Sequence, residues 1–117
     1  RENKNKAILV KLERLLDAYI ISGKLENGQL PTAEYCTAEL DLSVAYFNDL
    51  LRFETGKTLE EYFQFKRLSV AKTMLLKNGN TPALVARQLG YPNVQYFSLI
   101  FKKITGIAPC EYPYAQN

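Results

Sequence analysis

The sequence predicts an all-α fold in which a long helix joins two pairs of short helices, with one more helix at the N-terminus. Three observations lead to this prediction. Apolar residues recur every three or four positions, no stretch sustains the two-residue alternation of a strand, and helix-capping residues bound the apolar segments. The second half of the chain also repeats the pattern of the first.

An apolar stripe near the start of the chain predicts the N-terminal helix. Its members are Ile8, Leu9, Leu12, Leu15, Leu16, Tyr19 and Ile20. The helix is expected to end near Ser22 and Gly23, and residues 24–31 are expected to form a loop.

The first pair of short helices follows this loop. Thr32 is an adequate N-cap for a helix that ends near Leu40, and Asp41-Leu42 forms a short turn. Ser43 caps the next helix, and Gly56 ends it. The apolar side of this helix carries Phe47, Leu50 and Leu51.

A capping box, Thr58 followed by Glu61, begins the long helix. The helix extends to about Lys77, and Asn78-Gly79-Asn80 ends it. Its basic residues Lys66, Arg67 and Lys72 are interpreted as a solvated face.

The second pair of short helices has similar signals. Thr81 followed by Pro82 begins a helix that ends near Leu89, and Gly90 turns the chain. Asn93 caps the sixth helix, which reaches Lys103 and stops at Gly106, and its apolar side carries Phe97, Ile100 and Phe101. A last helical turn is predicted from Pro109 to Tyr112.

The two halves align when Phe47 is placed on Phe97. The alignment pairs Tyr46 with Tyr96, Leu51 with Phe101, Arg52 with Lys102, Thr55 with Thr105, Gly56 with Gly106, and Tyr62 with Tyr112. Upstream, Ala38 aligns approximately with Ala86, and Leu40 aligns with Leu89 once one inserted residue is allowed in the second turn. Each copy is a helix-turn-helix pattern, whose second helix fits a DNA major groove, although such helix pairs also occur in proteins that never contact DNA.

Charge is unevenly distributed along the chain. Residues 1–61 contain eight basic and eleven acidic side chains, whereas residues 62–117 contain seven basic ones and a single acid, Glu111. The C-terminal half is therefore suited to face phosphate. The alternative is that a chain of this size acquires such asymmetry by chance.

Other compositional features exclude whole classes of function. Histidine is absent and carboxylates do not form a catalytic pair, so we predict no enzyme activity, no metal site and no cofactor. Cys36 and Cys110 lack a CxxC spacing and are expected to be reduced thiols in a cytoplasmic protein. No apolar run approaches the roughly 18 residues of a membrane span.

Residues from about Leu30 to Tyr112 resemble the DNA-binding domain of AraC/XylS-type transcription regulators. The second copy carries the resemblance in Val85-Ala86, Leu89-Gly90-Tyr91, Tyr96-Phe97-Ser98, Phe101-Lys102-Lys103, Thr105-Gly106, Pro109 and Glu111-Tyr112. The first copy matches in Leu42-Ser43, Tyr46-Phe47 and Glu54-Thr55-Gly56-Lys57.

The resemblance implies a division of the chain. Residues 1–29 would be an extra helix and loop, and residues 30–117 the DNA-binding domain. Within that domain we expect one helix-turn-helix unit over about 32–56, the linker helix over about 58–77, and the other unit over about 81–106.

The resemblance also implies seven helices, and two recognition helices about one DNA turn apart, roughly 34 Å. Double-stranded DNA and RNA polymerase would be partners of a bacterial regulator. Because the sequence begins at Arg1, we expect the full-length protein to carry a further N-terminal effector or dimerisation domain.

Helix geometry selects the side chains that would face DNA. The expected base-reading residues are Val44, Ala45 and Asn48 in the first copy and Val94, Gln95 and Ser98 in the second. The expected phosphate contacts are Ser43, Tyr46, Arg52, Lys57, Asn93, Tyr96, Lys102 and Lys103. Several of these residues have plain structural alternatives, as helix caps, packing residues or a solvated helix end.

Two positions depart from the family pattern, which often has arginine there: Asp49 and Leu99. A carboxylate accepts only from cytosine N4 among the usual base contacts, and Asp49 can instead pair with Arg52 three residues on. These departures favour the alternative that the chain is a helical protein-interaction module without specific base reading.

Overall fold

The computed structural model describes residues 2–115, and all of its regular elements are helical. The six α-helices are α1 (Glu2–Ile21), α2 (Ala33–Leu40), α3 (Val44–Thr55), α4 (Leu59–Leu75), α5 (Pro82–Gln88) and α6 (Val94–Thr105). Two short 3-10 helices cover Lys24–Asn27 and Tyr112–Tyr114. The predicted all-α fold is confirmed.

Side-chain caps begin the short helices as predicted. The hydroxyl of Thr32 accepts a hydrogen bond from the Tyr35 N–H at 3.0 Å, and that of Thr81 accepts from the Leu84 N–H at 3.2 Å. At the start of α4, the Thr58 hydroxyl and the Glu61 carboxylate each accept from the other residue's N–H, at 3.2 and 2.9 Å. This reciprocal capping box lowers the pKa of Glu61, chiefly through the hydrogen bond from the Thr58 backbone.

Three elements differ from the sequence prediction. Helix α4 ends at Leu75 rather than Lys77, because the Asn80 side chain and the Lys77 N–H both donate to the Met74 carbonyl, at 2.8 and 3.1 Å. The predicted loop 24–31 contains the 3-10 helix Lys24–Asn27, since Leu25 is fully buried. The predicted turn Pro109–Tyr112 is present, since the Tyr112 N–H donates to the Ala108 carbonyl at 3.0 Å, but within residues 2–115 the chain continues into the 3-10 helix Tyr112–Tyr114 rather than a seventh α-helix.

The chain forms two compact packing units. The first comprises the described residues up to Ser22 together with Leu30–Phe65, and the second comprises Gly23–Gln29 and the described residues from Lys66 onward. Along the sequence, the packing units change between residues 22 and 23, between 29 and 30, and between 65 and 66. The predicted domains, residues 1–29 and 30–117, stay a prediction.

In the first unit, α1 packs on α2 and α3. The interior of this unit includes the fully buried side chains of Leu12, Leu16, Cys36, Phe47 and Leu51. Burial raises the pKa of the Cys36 thiol to about 11, so this cysteine is a packing residue.

In the second unit, a row of aromatic rings forms the centre. The Tyr91 and Phe97 ring centroids are 4.9 Å apart, those of Phe97 and Phe101 5.6 Å, and those of Phe101 and Tyr112 5.4 Å. Leu25 joins this unit through contacts between its 3-10 helix and α5.

Over residues 2–115 no helix combines the length and the apolar character that crossing a bilayer requires. The same part of the chain brings no three metal-ligating side chains together.

Candidate nucleic-acid interface

Helices α3 and α6 are equivalent down to their terminal hydrogen bonds. Each has 12 residues. The Ser43 hydroxyl accepts from the Tyr46 N–H at 3.1 Å, and the Asn93 side-chain oxygen accepts from the Tyr96 N–H at 2.7 Å. At the other end, the left-handed residues Gly56 and Gly106 each donate to the carbonyl four residues earlier at 2.8 Å.

At the C-terminal end of each helix, a threonine hydroxyl makes two hydrogen bonds to the backbone. The Thr55 hydroxyl donates to the Leu51 carbonyl at 2.7 Å and accepts from the Lys57 N–H at 3.1 Å. The Thr105 hydroxyl likewise donates to the Phe101 carbonyl at 2.7 Å and accepts from the Ile107 N–H at 3.2 Å. The internal repeat is therefore a repeat of structure as well as sequence.

The turns that lead into α3 and α6 are also related. The Leu42 N–H donates to the Thr37 carbonyl at 3.1 Å, and the Tyr91 N–H donates to the Ala86 carbonyl at 2.9 Å. These bonds pair Thr37, rather than Ala38, with Ala86. Asp41 and Gly90 supply the left-handed residue of each turn, with φ of 56° and 80°.

The buried sides of the two helices are close to those predicted. Phe47, Leu50 and Leu51 are buried on α3, and Phe97 and Phe101 on α6. Ile100 is only half-buried, so the prediction that it belongs to the core was too strong.

The predicted base-reading residues fall into two groups by exposure. Ala45, Asn48 and Gln95 are exposed, whereas Val44, Val94 and Ser98 are half-buried near the starts or flanks of their helices. The base edges of a duplex placed along either helix would therefore contact the exposed side chains first.

The predicted phosphate contacts are mostly exposed. Tyr46 and Tyr96 are 43% and 46% exposed, and Ser43, Arg52, Asn93, Lys102 and Lys103 are exposed too. Lys57 differs, because it is half-buried and its ammonium lies 5.1 Å from the centre of the Phe65 ring. The capping oxygens of Ser43 and Asn93 are occupied, but the Ser43 hydroxyl proton and the Asn93 amide protons can still donate to phosphate.

Two clefts of the first unit flank α3. A cleft of about 540 Å³ is lined by Asn48 and Arg52 together with the starts of α2 and α4. The other, of about 620 Å³, is lined by Tyr46, Asp49, Leu50 and Phe53 and by Lys4 and Asn5 of α1. Asp49 and Arg52 thus line different clefts, and the part of the chain that the structure describes shows no ion pair between them.

One functional neighbour of the site was missed by the sequence analysis. Arg67, expected on a solvated face, lies over the Tyr91 ring at 4.1 Å and donates from Nη1 to the Leu89 carbonyl at 3.0 Å. It thereby supports the turn that precedes α6. Its position in the linker helix gave no signal of this role, because the partner residues lie more than 20 positions away in the sequence.

The net charges of the two units are opposite. Counted over the sequence, the first unit has seven basic and ten acidic residues, and the second has eight basic and two acidic residues. Net charges of −3 and +6 follow, so the second unit has the stronger attraction for a polyanion.

Comparison with known proteins agrees with this geometry. The family model described as "Helix-turn-helix domain" matches residues 36–113. The chain is 32% identical over 108 residues to the uncharacterized transcriptional regulatory protein YesN of Bacillus subtilis, covering 91% of this chain and 28% of that protein. It is 31% identical over 112 residues to the HTH-type transcriptional activator RhaR of Mannheimia succiniciproducens, covering 96% of this chain and 39% of RhaR.

A solved structure is similar as well. It is the C-terminal domain of the two-component response regulator yesN from Fusobacterium nucleatum, with 28% identity and a TM-score of 0.64, covering 88% of this chain and 98% of that one. The chain spans less than two fifths of the length of the curated relatives named above. The match over most of the sequence, the repeated helix pair and the all-helical fold together show that the chain belongs to the AraC-type helix-turn-helix domain family.

Proposed function

We propose that this chain is the sequence-specific DNA-binding part of a bacterial transcription regulator, with α3 and α6 as its recognition helices. The observation that carries the proposal is the pair of equivalent 12-residue helices, each with an apolar buried side and a mostly polar exposed side. The names of its relatives as transcriptional regulators support the same function.

Under this proposal, the two helices enter successive major grooves. The base edges are read by Val44, Ala45, Asn48, Val94, Gln95 and Ser98. The phosphates are held by Ser43, Tyr46, Arg52, Lys57, Asn93, Tyr96, Lys102 and Lys103. Exposure favours Asn48 and Gln95 most, since their amides can pair with adenine.

We extend the proposal to the whole protein through the length of its relatives. A further effector or dimerisation domain, contact with RNA polymerase and a cytoplasmic location fit a transcription regulator. No enzyme activity is proposed, because the family that matches is one of helix-turn-helix domains.

A second function, protein interaction without base reading, is favoured by three exposed side chains. Leu99 and Phe53 are 66% and 82% exposed, and Asp49 is an exposed acid on α3. Apolar and acidic groups in these places suit a protein surface better than a phosphate backbone.

Selection of bound sequences from random duplex DNA, followed by titration at several salt concentrations, separates the two functions. DNA binding predicts an enriched motif, and an association constant whose logarithm falls with log salt by about 0.9 per phosphate neutralised. An absence of binding even at low salt would favour the protein-interaction module.

A further inference from the structure

The outward faces of α3 and α6 differ at equivalent positions. Residues 50 apart correspond, so Asp49 of α3 takes the place of Leu99 of α6, and Phe53 takes that of Lys103. Since each residue of a helix advances 100°, Asp49 lies on the side of α3 directly opposite Phe47 and Leu51. Any duplex laid against the outward face of α3 therefore meets this carboxylate.

The Asp49 carboxylate is exposed, and no ion pair to it occurs within residues 2–115. Its cleft is lined by the uncharged Tyr46, Leu50, Phe53 and Asn5, and by a single cation, Lys4. Arg52, the nearest cation on α3 itself, lines the other cleft. The charge of Asp49 thus remains available to an approaching ligand.

The chemistry of a carboxylate restricts which base it can face. It only accepts hydrogen bonds, so the N7 and O6 acceptors of guanine and the O4 acceptor of thymine repel it. The N6 donor of adenine lies beside the N7 acceptor, whereas cytosine presents only its N4 donor at this edge. Cytosine is therefore the base that Asp49 fits best.

Where no such donor is offered, the carboxylate weakens binding, because phosphates surround the groove. The first unit carries a net charge of −3 and cannot offset this repulsion, whereas the second carries +6. Phe53 contributes no cation where α6 has Lys103. The first unit therefore offers DNA less electrostatic attraction than the second.

We infer that Asp49 is a specificity-determining residue that selects cytosine, and that the second helix-turn-helix unit supplies most of the affinity for DNA. This inference rests on the proposed function and assigns different roles to its two recognition helices.

The test uses the full 117-residue chain and duplexes carrying the selected motif, each of the three substitutions at its cytosine positions, or unrelated sequence. Asp49→Asn is expected to lose about tenfold of the preference for cytosine at one position, and to bind unrelated DNA several-fold more tightly. Glu39→Gln, which neutralises an exposed acid on α2, is the matched control. It removes the same charge from the same unit and should leave every base preference unchanged.

A second variant tests the assignment of affinity. Phe53→Lys gives α3 the cation that α6 has at the equivalent place, so it should strengthen binding to all duplexes alike without altering base preference. Because Asp49 and Phe53 are exposed, both variants should unfold at the temperature of the unchanged chain.

The outcomes distinguish this inference from the proposed function. Sequence-specific binding whose base preferences are the same in Asp49→Asn would overturn the role of Asp49 alone. A uniform loss of affinity in Asp49→Asn would do so too, since it would indicate a general contact. A chain that binds no duplex at low salt would overturn the proposed function, and this inference with it.

Discussion

Gln95 lies on the exposed side of α6, one helical turn before Leu99. Its carboxamide carries a donor and an acceptor, the pair that adenine matches in the major groove. We expect Gln95→Ala to relax the preference at one base position by about 1–3 kcal/mol. Titrating the variant against four duplexes that differ at that position measures the change.

The same titration can also contradict the proposed role of Gln95. If Gln95→Ala weakened all four duplexes by an equal factor, Gln95 would be a general contact rather than a base reader. Asn48 on α3 has the same functional group and is also exposed, so Asn48→Ala is the comparison for the other unit.

At the residue scale, the sequence predicted which side chains are buried better than which neighbours they contact. The 3.6-residue period correctly placed Phe47, Leu51, Phe97 and Phe101 in the interior, because burial follows from where apolar side chains recur. It could not reveal that Asp49 and Arg52 line separate clefts or that Lys57 lies near the Phe65 ring. Those facts depend on which neighbours tertiary packing brings near each side chain.

At the scale of the element, the starts of α2, α3, α5 and α6 were predicted almost to the residue, since each depends on a local hydrogen bond that a capping side chain accepts from a backbone N–H. The 3-10 helix Lys24–Asn27 was not predicted. Its existence depends on the burial of Leu25 in the second unit, and a stretch rich in polar residues and glycine gives no periodic signal of that contact.

The main chain of this 3-10 helix lies very close to Gly90. The φ of Gly90 is 80°, and a Cβ added there would lie 2.5 Å from the Leu25 carbonyl oxygen. Gly90→Ala must therefore bear both the left-handed backbone and a clash with main-chain atoms. We expect a loss of more than about 2 kcal/mol in the free energy of unfolding, measured by urea denaturation.

Gly106 supplies the control for Gly90. Its φ is 81°, but an added Cβ meets nothing within 4 Å, so Gly106→Ala should lose only the roughly 1–2 kcal/mol of left-handed strain. The difference between the two variants isolates the contact with Leu25. Equal losses would mean that the 3-10 helix moves away freely and contributes little to the stability of the second unit.

At the scale of the whole molecule, the sequence predicted two helix-turn-helix units and the uneven charge, because an internal repeat and the distribution of charged residues can be identified from the sequence alone. The packing units themselves are interleaved along the chain, with Gly23–Gln29 packed in the second unit while the residues on either side belong to the first. Sequence patterns do not reveal this arrangement, because it depends on contacts between residues that are far apart in the sequence.

The charge of the two units leads to a prediction for the molecule as a whole. If the second unit supplies most of the phosphate contacts, removing one of its cations at α6 should weaken binding to every duplex by a similar factor. Lys103 is exposed near the end of α6, so Lys103→Ala should also lower the slope of log affinity against log salt by about 0.9.

Lys77 is the matched control for Lys103, because it is an exposed lysine of the same unit that lies beyond the end of α4 and outside α6. Lys77→Ala removes the same charge and should leave the salt slope close to its original value, since long-range attraction is screened within about 10 Å at 0.1 M salt. A slope that fell equally in both variants would show that binding senses only net charge. An effect of Lys103→Ala confined to one base position would make Lys103 a base reader instead.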